Sequence, residues 1–187
     1  MPMRAERGFS LLEVLFASTI LAVALTALAQ LFAVSTRANA SARTTTFASV
    51  LAQQKMEQLR GLTWGFDALG LPLSDTTTDL TVVPEKTTGG KGLSPGSAAT
   101  LGTNTSGYVD YLDASGNSLG TGTTPPPTTL YVRRWSVEPL PTNPNNTLVL
   151  QVLVTRLRNR GSADSTVEVR RLPDEARIIS VKTRKAN

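Results

Sequence analysis

The stretch Arg7-Gly8-Phe9-Ser10-Leu11-Leu12-Glu13-Val14 decides how the rest of this chain is read. In it a short charged leader meets an apolar run that carries one carboxylate near its start. Residues 14–29 are sixteen positions without a charge, and Gln30-Leu31-Phe32-Ala33-Val34 extends the run before Arg37. The run reaches the ~18 to 20 apolar residues that a helix needs to cross a hydrocarbon core. Glu13 complicates a simple membrane span. A carboxylate costs roughly 2.5 to 3.5 kcal/mol at the centre of a membrane helix and less near its end, and an ionisable residue at such a position calls for a partner.

Working outward, residues 35–60 contain neither Gly nor Pro. Ala48, Leu51, Ala52, Met56 and Leu59 recur at three- and four-residue steps, which makes one apolar stripe on a helix. Gln53, Gln54, Lys55, Glu57 and Gln58 are placed on the opposite, polar side. Arg60 followed by Gly61 suits a helix end with a basic last turn and a glycine just beyond it. A helix over 9–60 is therefore expected, 52 residues or about 78 Å long at 1.5 Å per residue. Its apolar half suits a membrane or a filament core, and its amphipathic half needs a domain packed against it. The alanines at 17, 22, 24, 27 and 29 permit close helix approach, although helix propensity alone accounts for them equally well.

Gly8, Phe9 and Glu13 at this spacing, inside a helix-forming apolar run, resemble the N-terminal motif of type IV pilins and type II secretion pseudopilins. The resemblance implies that a prepilin peptidase cuts between Gly8 and Phe9 and methylates the new amine of Phe9. It implies that Glu13 pairs with the N-terminal ammonium of a neighbouring subunit during assembly. Physical chemistry supports that pairing, because in a low-dielectric helix bundle each charge alone is poorly tolerated. Residues 48–60 are similar to the second half of the helix in PilV-type minor pilins and in I-type pseudopilins. Two departures stand out: no proline interrupts the helix, and no cysteine is present to close the C-terminal disulfide that many pilins carry.

Two other readings compete at the N-terminus. One is a secretory signal peptide, with Arg4 and Arg7 as its basic region and Ala27-Leu28-Ala29 as its cleavage site. The other is a plain uncleaved anchor holding an exported binding domain. Both leave Glu13 without a purpose. Arg4 and Arg7 on one side face Arg37 and Arg43 on the other, so the basic residues do not settle orientation.

Beyond the helix, residues 61–129 shift to Gly, Thr, Ser and Pro, with turn signals at Gly89-Gly90, Pro95-Gly96 and Pro125-Pro126-Pro127. A loop of that length inside a compact domain is unusual, so part of it is expected to pack. Residues 80–83 and 108–112 are candidate short strands, and Trp64 and Phe66 are expected to anchor the segment to the core. From Leu130 the pattern turns to β, with strands expected over 130–137, 147–157, 166–170 and 177–182 and a tight turn at Asn159-Arg160-Gly161. Three or four antiparallel strands would bury one face on the helix, with Leu148, Leu150, Val152 and Val154 in the core. The resulting fold class is α+β, a pilin-like ladle whose long N-terminal helix packs on a C-terminal antiparallel β-sheet. Its divisions are a leader (1–8), a transmembrane or filament-core half-helix (9–34), an amphipathic half-helix (35–60), a variable loop (61–129) and a sheet region (130–187).

The 187 residues allow one folded domain beyond the membrane segment. With no histidine and no cysteine, the usual general base, thiol nucleophile and commonest zinc ligands are missing. The expectation is a non-catalytic protein without a cofactor, its exported part held by packing alone or by an ion. Asp110, Asp113, Ser115 and Asn117 offer oxygen ligands within eight residues, and calcium occurs in some members of the resembled families. The same residues make a turn and lack EF-hand spacing, so no metal is expected, with Asp110 and Asp113 as the calcium candidates. Loss of the leader would leave 17 basic and 13 acidic residues, and eleven of those basic residues lie at 133 or beyond, against five acidic ones. Arg156, Arg158, Arg170, Arg171, Lys182, Arg184 and Lys185 are the candidates for a phosphate backbone, as DNA uptake would need. Solvated strand faces explain the same charges, and no aromatics interleave for base stacking.

The function expected from these residues and their resemblance is a minor type IV pilin, with a type II secretion pseudopilin as the alternative. Its partners would be the prepilin peptidase, other major and minor pilins, and the pilus assembly platform in the bacterial inner membrane. The chain would reside there as a single-pass protein before entering a pilus or periplasmic pseudopilus.

Overall fold

The computed structural model describes residues 8–157 and 175–185, and the elements among them are one α-helix, a short 3-10 helix at Ala98–Leu101 and seven strands. Helix α1 spans Leu11–Gly61, 51 residues, against the expected 9–60. Ser10 starts it: its carbonyl accepts from the Glu13 and Val14 amides at 3.0 and 3.2 Å, and its hydroxyl accepts from the Leu12 amide at 3.2 Å. This is the satisfaction that an N-cap serine provides to the open first turn. Two compact units divide the chain, Met1–Ala42 and Arg43–Asn187, and α1 contributes to both.

In the first unit the described helical residues are exposed nearly throughout. Leu15, Ile20, Val23, Leu28 and Phe32 each show half or more of their surface. Ser18, Thr19 and Thr26 turn their hydroxyls back onto helix carbonyls at Leu15 and Ala22. Hydroxyls bonded in this way leave an apolar exterior with its polar groups satisfied, as a hydrocarbon environment demands. This helix is long and apolar enough to cross a membrane.

In the second unit α1 lies on a five-stranded antiparallel sheet of order β4-β3-β5-β6-β7. Strand β3 is Val109–Leu112, β4 is Ser118–Gly120, β5 is Tyr131–Pro139, β6 is Thr147–Arg156 and β7 is Glu175–Thr183. A separate hairpin pairs β1, Trp64–Phe66, with β2, Pro72–Ser74. The α+β architecture expected from the sequence is thus present: one long N-terminal helix packed on a C-terminal antiparallel sheet. The sheet is wider than three or four strands because β3 and β4 come from residues 61–129. In that segment Tyr108, Val109, Tyr111 and Leu112 are all buried, and a run apolar on both faces belongs inside a sheet rather than in a loop. Residues 80–83 do not form a strand. Leu80 instead inserts into the core beside an isolated bridge between Asp79 and Lys86. The strand expected at 166–170 and the turn at 159–161 lie outside the described residues.

Alternation assigns the two faces of the sheet. Leu148, Leu150, Val152 and Val154 are all essentially inaccessible, as expected, and share one face with Trp135 and Val137 through the β5–β6 register. The helix stripe Ala48, Leu51, Ala52, Met56 and Leu59 closes over that face in one continuous core. The opposite face carries a smaller cluster of Val109, Tyr111 and Val132, with Leu119 packed against it.

The end of α1 differs from expectation. Gly61 belongs to the helix and does not take a positive φ. Its last turn is instead capped by Lys182 of β7, whose ammonium donates to the Arg60 carbonyl and, just past the helix, to the Leu62 carbonyl at 2.7 Å. A cation at a helix C-terminus also complements the helix dipole. Lys182→Met should therefore lower the unfolding free energy of the full chain in non-ionic detergent by about 1 to 2 kcal/mol. Urea denaturation followed by tryptophan fluorescence measures this, and an unchanged midpoint would show the cap to be dispensable.

Candidate functional site

Two regions concentrate chemistry: the exposed N-terminal segment and an ion cluster buried under α1. In the first, Gly8, Phe9 and Ser10 precede the helix and are exposed, Phe9 at 83 %. A Cβ built on Gly8 meets nothing within 4 Å, and its φ is not in the left-handed region. Among the described residues nothing in the fold requires glycine there. Glu13 sits in the first turn, three residues after Ser10, at the spacing of a capping box. Its carboxylate does not turn back to the Ser10 amide, and among the described residues it has no hydrogen-bond or ion-pair partner. An exposed acid on an exposed apolar helix is thereby left open to an external cation. The other residues of the leader lie outside the described residues.

The second region joins three elements through residues the sequence pattern disguised. Asp110 of β3 and Arg133 of β5 are directly opposite in register. The guanidinium grips the carboxylate with both forks, Nε to Oδ1 at 2.9 Å and Nη2 to Oδ2 at 2.7 Å. Its third nitrogen, Nη1, donates to the Leu51 carbonyl of α1 at 3.0 Å. Lys55 reaches Oδ2 of Asp110 at 3.0 Å, donates to the Leu80 carbonyl and lies 4.6 Å from the centre of the Trp135 ring. All three residues are buried, Lys55 completely. Its expected placement on the polar side of the helix is corrected here, for a geometric reason. Position 55 follows Ala48, Leu51 and Ala52 by seven, four and three residues, which puts it in the middle of the apolar stripe.

The cluster holds two cations and one anion, so Asp110 cannot balance it alone. Burial pushes the Lys55 ammonium down from 10.5 to about 8, with Asp110 opposing that shift and Arg133 reinforcing it. The surplus is spread by the Leu80 and Leu51 carbonyls and by the Trp135 face, which supplies cation–π attraction in a desolvated setting. This is a structural cross-brace: it ties α1 to β3, to β5 and to the turn at Leu80 without any covalent link.

The remaining candidates fall apart spatially by role. Asp110 is committed to Lys55 and Arg133. Asp113 sits in an exposed turn, where Oδ1 accepts from the Ser115 and Asn117 amides and Oδ2 from the Asn117 side chain. The Asn117 side-chain amide, with the backbone amides of Asn117, Ser115 and Gly116, holds the Asp113 carboxyl below its ordinary range. Among the described residues no group of three acidic, cysteine or histidine side chains is gathered for a metal. Of the basic candidates, Arg156 ends β6 and is exposed, whereas Lys182 caps α1. Arg184 donates to the Asn145 and Gly65 carbonyls and lies 3.8 Å over the Trp64 ring and 5.4 Å from that of Phe66. Trp64 also packs against the main core, whereas the contact shown for the Phe66 ring is with Arg184. Lys185 is exposed, its backbone amide bonded to the Trp64 carbonyl. Arg158, Arg170 and Arg171 lie outside the described residues.

No curated protein and no solved structure matches the chain. The model of one family, the prokaryotic N-terminal methylation motif, matches residues 3–29, and this supports a type IV pilin-like chain that serves as a prepilin peptidase substrate.

Proposed function

We propose that this chain is a minor type IV pilin: a structural subunit cut between Gly8 and Phe9, methylated on the Phe9 amine, held in the bacterial inner membrane by its apolar half-helix, and then assembled with other pilins. The observation that carries the proposal is the conjunction at the N-terminus. Among the described residues a Cβ on Gly8 would meet nothing and the Glu13 carboxylate has no partner, and both lie within the matched motif. The divisions follow from the same reading, with 1–8 removed, 9–34 buried in lipid or filament, and 35–60 serving as the keel of the exported domain. Prepilin peptidase and the assembly platform are the partners this path requires. The cross-brace supports it too, since it lets an exported domain without cysteine remain tied to its helix.

The intact mass of the chain recovered from membranes tests the proposal. The expected species begins with N-methyl-Phe9. A chain beginning at Gln30 would establish a secretory signal peptide, and one beginning at Met1 a plain anchor, and either result would end the pilin reading.

A further inference from the structure

A second feature of the exported domain lies away from both regions. Between the end of α1, the β1–β2 hairpin and β7 there is a cavity of about 620 Å³. Its lining includes Arg60, Lys182 and Lys185, no Asp or Glu, and the apolar side chains of Phe66, Leu73 and Val181. Large apolar side chains are exposed around the same elements: Leu73 50 % on β2 and Leu71 58 % just before it, Ile179 58 % and Val181 58 % along β7, and Leu69 84 % at the hairpin tip. Alternation puts Ile179 with Val181 on a common face of β7. Solvent does not favour so many exposed apolar residues around one cavity, and a concentration of this kind marks an interaction surface.

We infer that this cavity docks a segment of another protein in which a carboxylate side chain stands beside a large apolar one. Charge complementarity selects the acid, since three cations face the cavity with no anion in its lining. Lys182 is partly occupied by the carbonyls at the end of α1, whereas the Lys185 ammonium is exposed and Arg60 makes only a surface pair with Glu57 at 3.2 Å. Leu73, a half-exposed residue of the lining, receives the apolar neighbour. The volume falls within the range of about 300 to 1,000 Å³ typical of pockets that enclose a ligand group, so the site suits inserted side chains better than a flat lipid headgroup layer. The inference holds whether or not the chain enters a filament.

The test is a photocrosslinking residue placed at Leu73 of the full chain in the cells that make it, with the same residue at exposed Val83 as the control. The crosslinked partner peptide is mapped by mass spectrometry. The expected crosslink lies within three residues of an Asp or Glu adjacent to a large apolar residue, and it is absent from the Val83 control. In the double variant Arg60→Gln, Lys185→Gln its yield should fall roughly tenfold, as loss of interfacial charge complementarity predicts, with the thermal unfolding midpoint unchanged. A crosslink only to lipid, a partner site lacking a carboxylate, a yield indifferent to the double substitution, or no crosslink at Leu73 would each overturn the inference. The intact mass of the same sample reports N-terminal processing separately, so failure of the pilin reading cannot be mistaken for failure of this one.

Discussion

Asp110→Ala is expected to destabilise the helix–sheet domain by about 3 to 5 kcal/mol, the penalty for removing one partner of a buried ion pair. The substitution leaves the Lys55 ammonium and the Arg133 guanidinium facing each other in the core, with their shared counter-ion gone. A loss of that size is a large fraction of the 5 to 15 kcal/mol that typically separates folded from unfolded domains. Lys55→Met is expected to behave differently. It removes the surplus cation, leaves the bidentate Asp110–Arg133 pair intact and fills the space with a side chain of similar length, so its cost should stay within about 1 kcal/mol. Urea unfolding of the full chain in non-ionic detergent, read through Trp135 against which Lys55 lies, compares the two. Equal losses would show that charge balance is not what holds the cluster.

The same cluster makes stability depend on pH in a direction opposite to that of an ordinary paired lysine. The Lys55 ammonium titrates near 8 in the folded protein and at its ordinary 10.5 in the unfolded chain. Between these values the unfolded chain holds a proton that the folded one has released, so stability rises with pH across that window. The full shift corresponds to about 3 kcal/mol. Lys182, also lowered, chiefly by burial, adds in the same sense. Tyr108 and Tyr111, raised by burial, act in the opposite sense above about pH 10. The unfolding midpoint should therefore climb from about pH 8 to 10, and Lys55→Met should abolish most of the climb.

On the proposed pilin reading, Glu13→Ala should leave cleavage at Gly8 intact and reduce incorporation of the mature chain into filaments by roughly a hundredfold, the equivalent of about 3 kcal/mol for a broken pair in a low-dielectric setting. The reasoning rests on two facts about the described residues: the carboxylate has no partner within the chain, and the helix around it is exposed and apolar over several turns. If the pilin reading holds, the Phe9 ammonium created by cleavage on a neighbouring subunit is the cation that satisfies it. Quantifying the chain in sheared filaments against the membrane pool measures the effect. Undiminished incorporation would remove the pairing role from Glu13.

The helix and the core strand β6 were legible because their signals are local and repeated. Ala48, Leu51, Ala52, Met56 and Leu59 mark a stripe every three or four residues, and Leu148, Leu150, Val152 and Val154 mark a face every two. The cross-brace was not read, although each of its members stands at an inward position of its own element. Lys55 falls within the stripe, Asp110 shares parity with buried Leu112, and Arg133 shares parity with Tyr131, Trp135 and Val137. A charge at one such position looks like a break in the pattern. Only when three of them meet does each supply what the others lack, and that meeting depends on contacts between residues 55, 110 and 133.

What the sequence by itself determined is the long N-terminal helix, its division into an apolar and an amphipathic half, the presence of an antiparallel sheet, and a match to an N-terminal methylation motif whose glycine has open space at its Cβ position and whose glutamate carboxylate has no partner among the described residues. These are properties of short stretches, where side-chain period and backbone preference act within a few residues. The tertiary structure decided the rest: that residues 109–112 and 118–120 join the sheet, that Lys182 rather than Gly61 finishes the helix, and that a lysine sits in the core. Each of these is a long-range match of charge or hydrogen-bonding capacity, and such a match has no value until folding removes both partners from water.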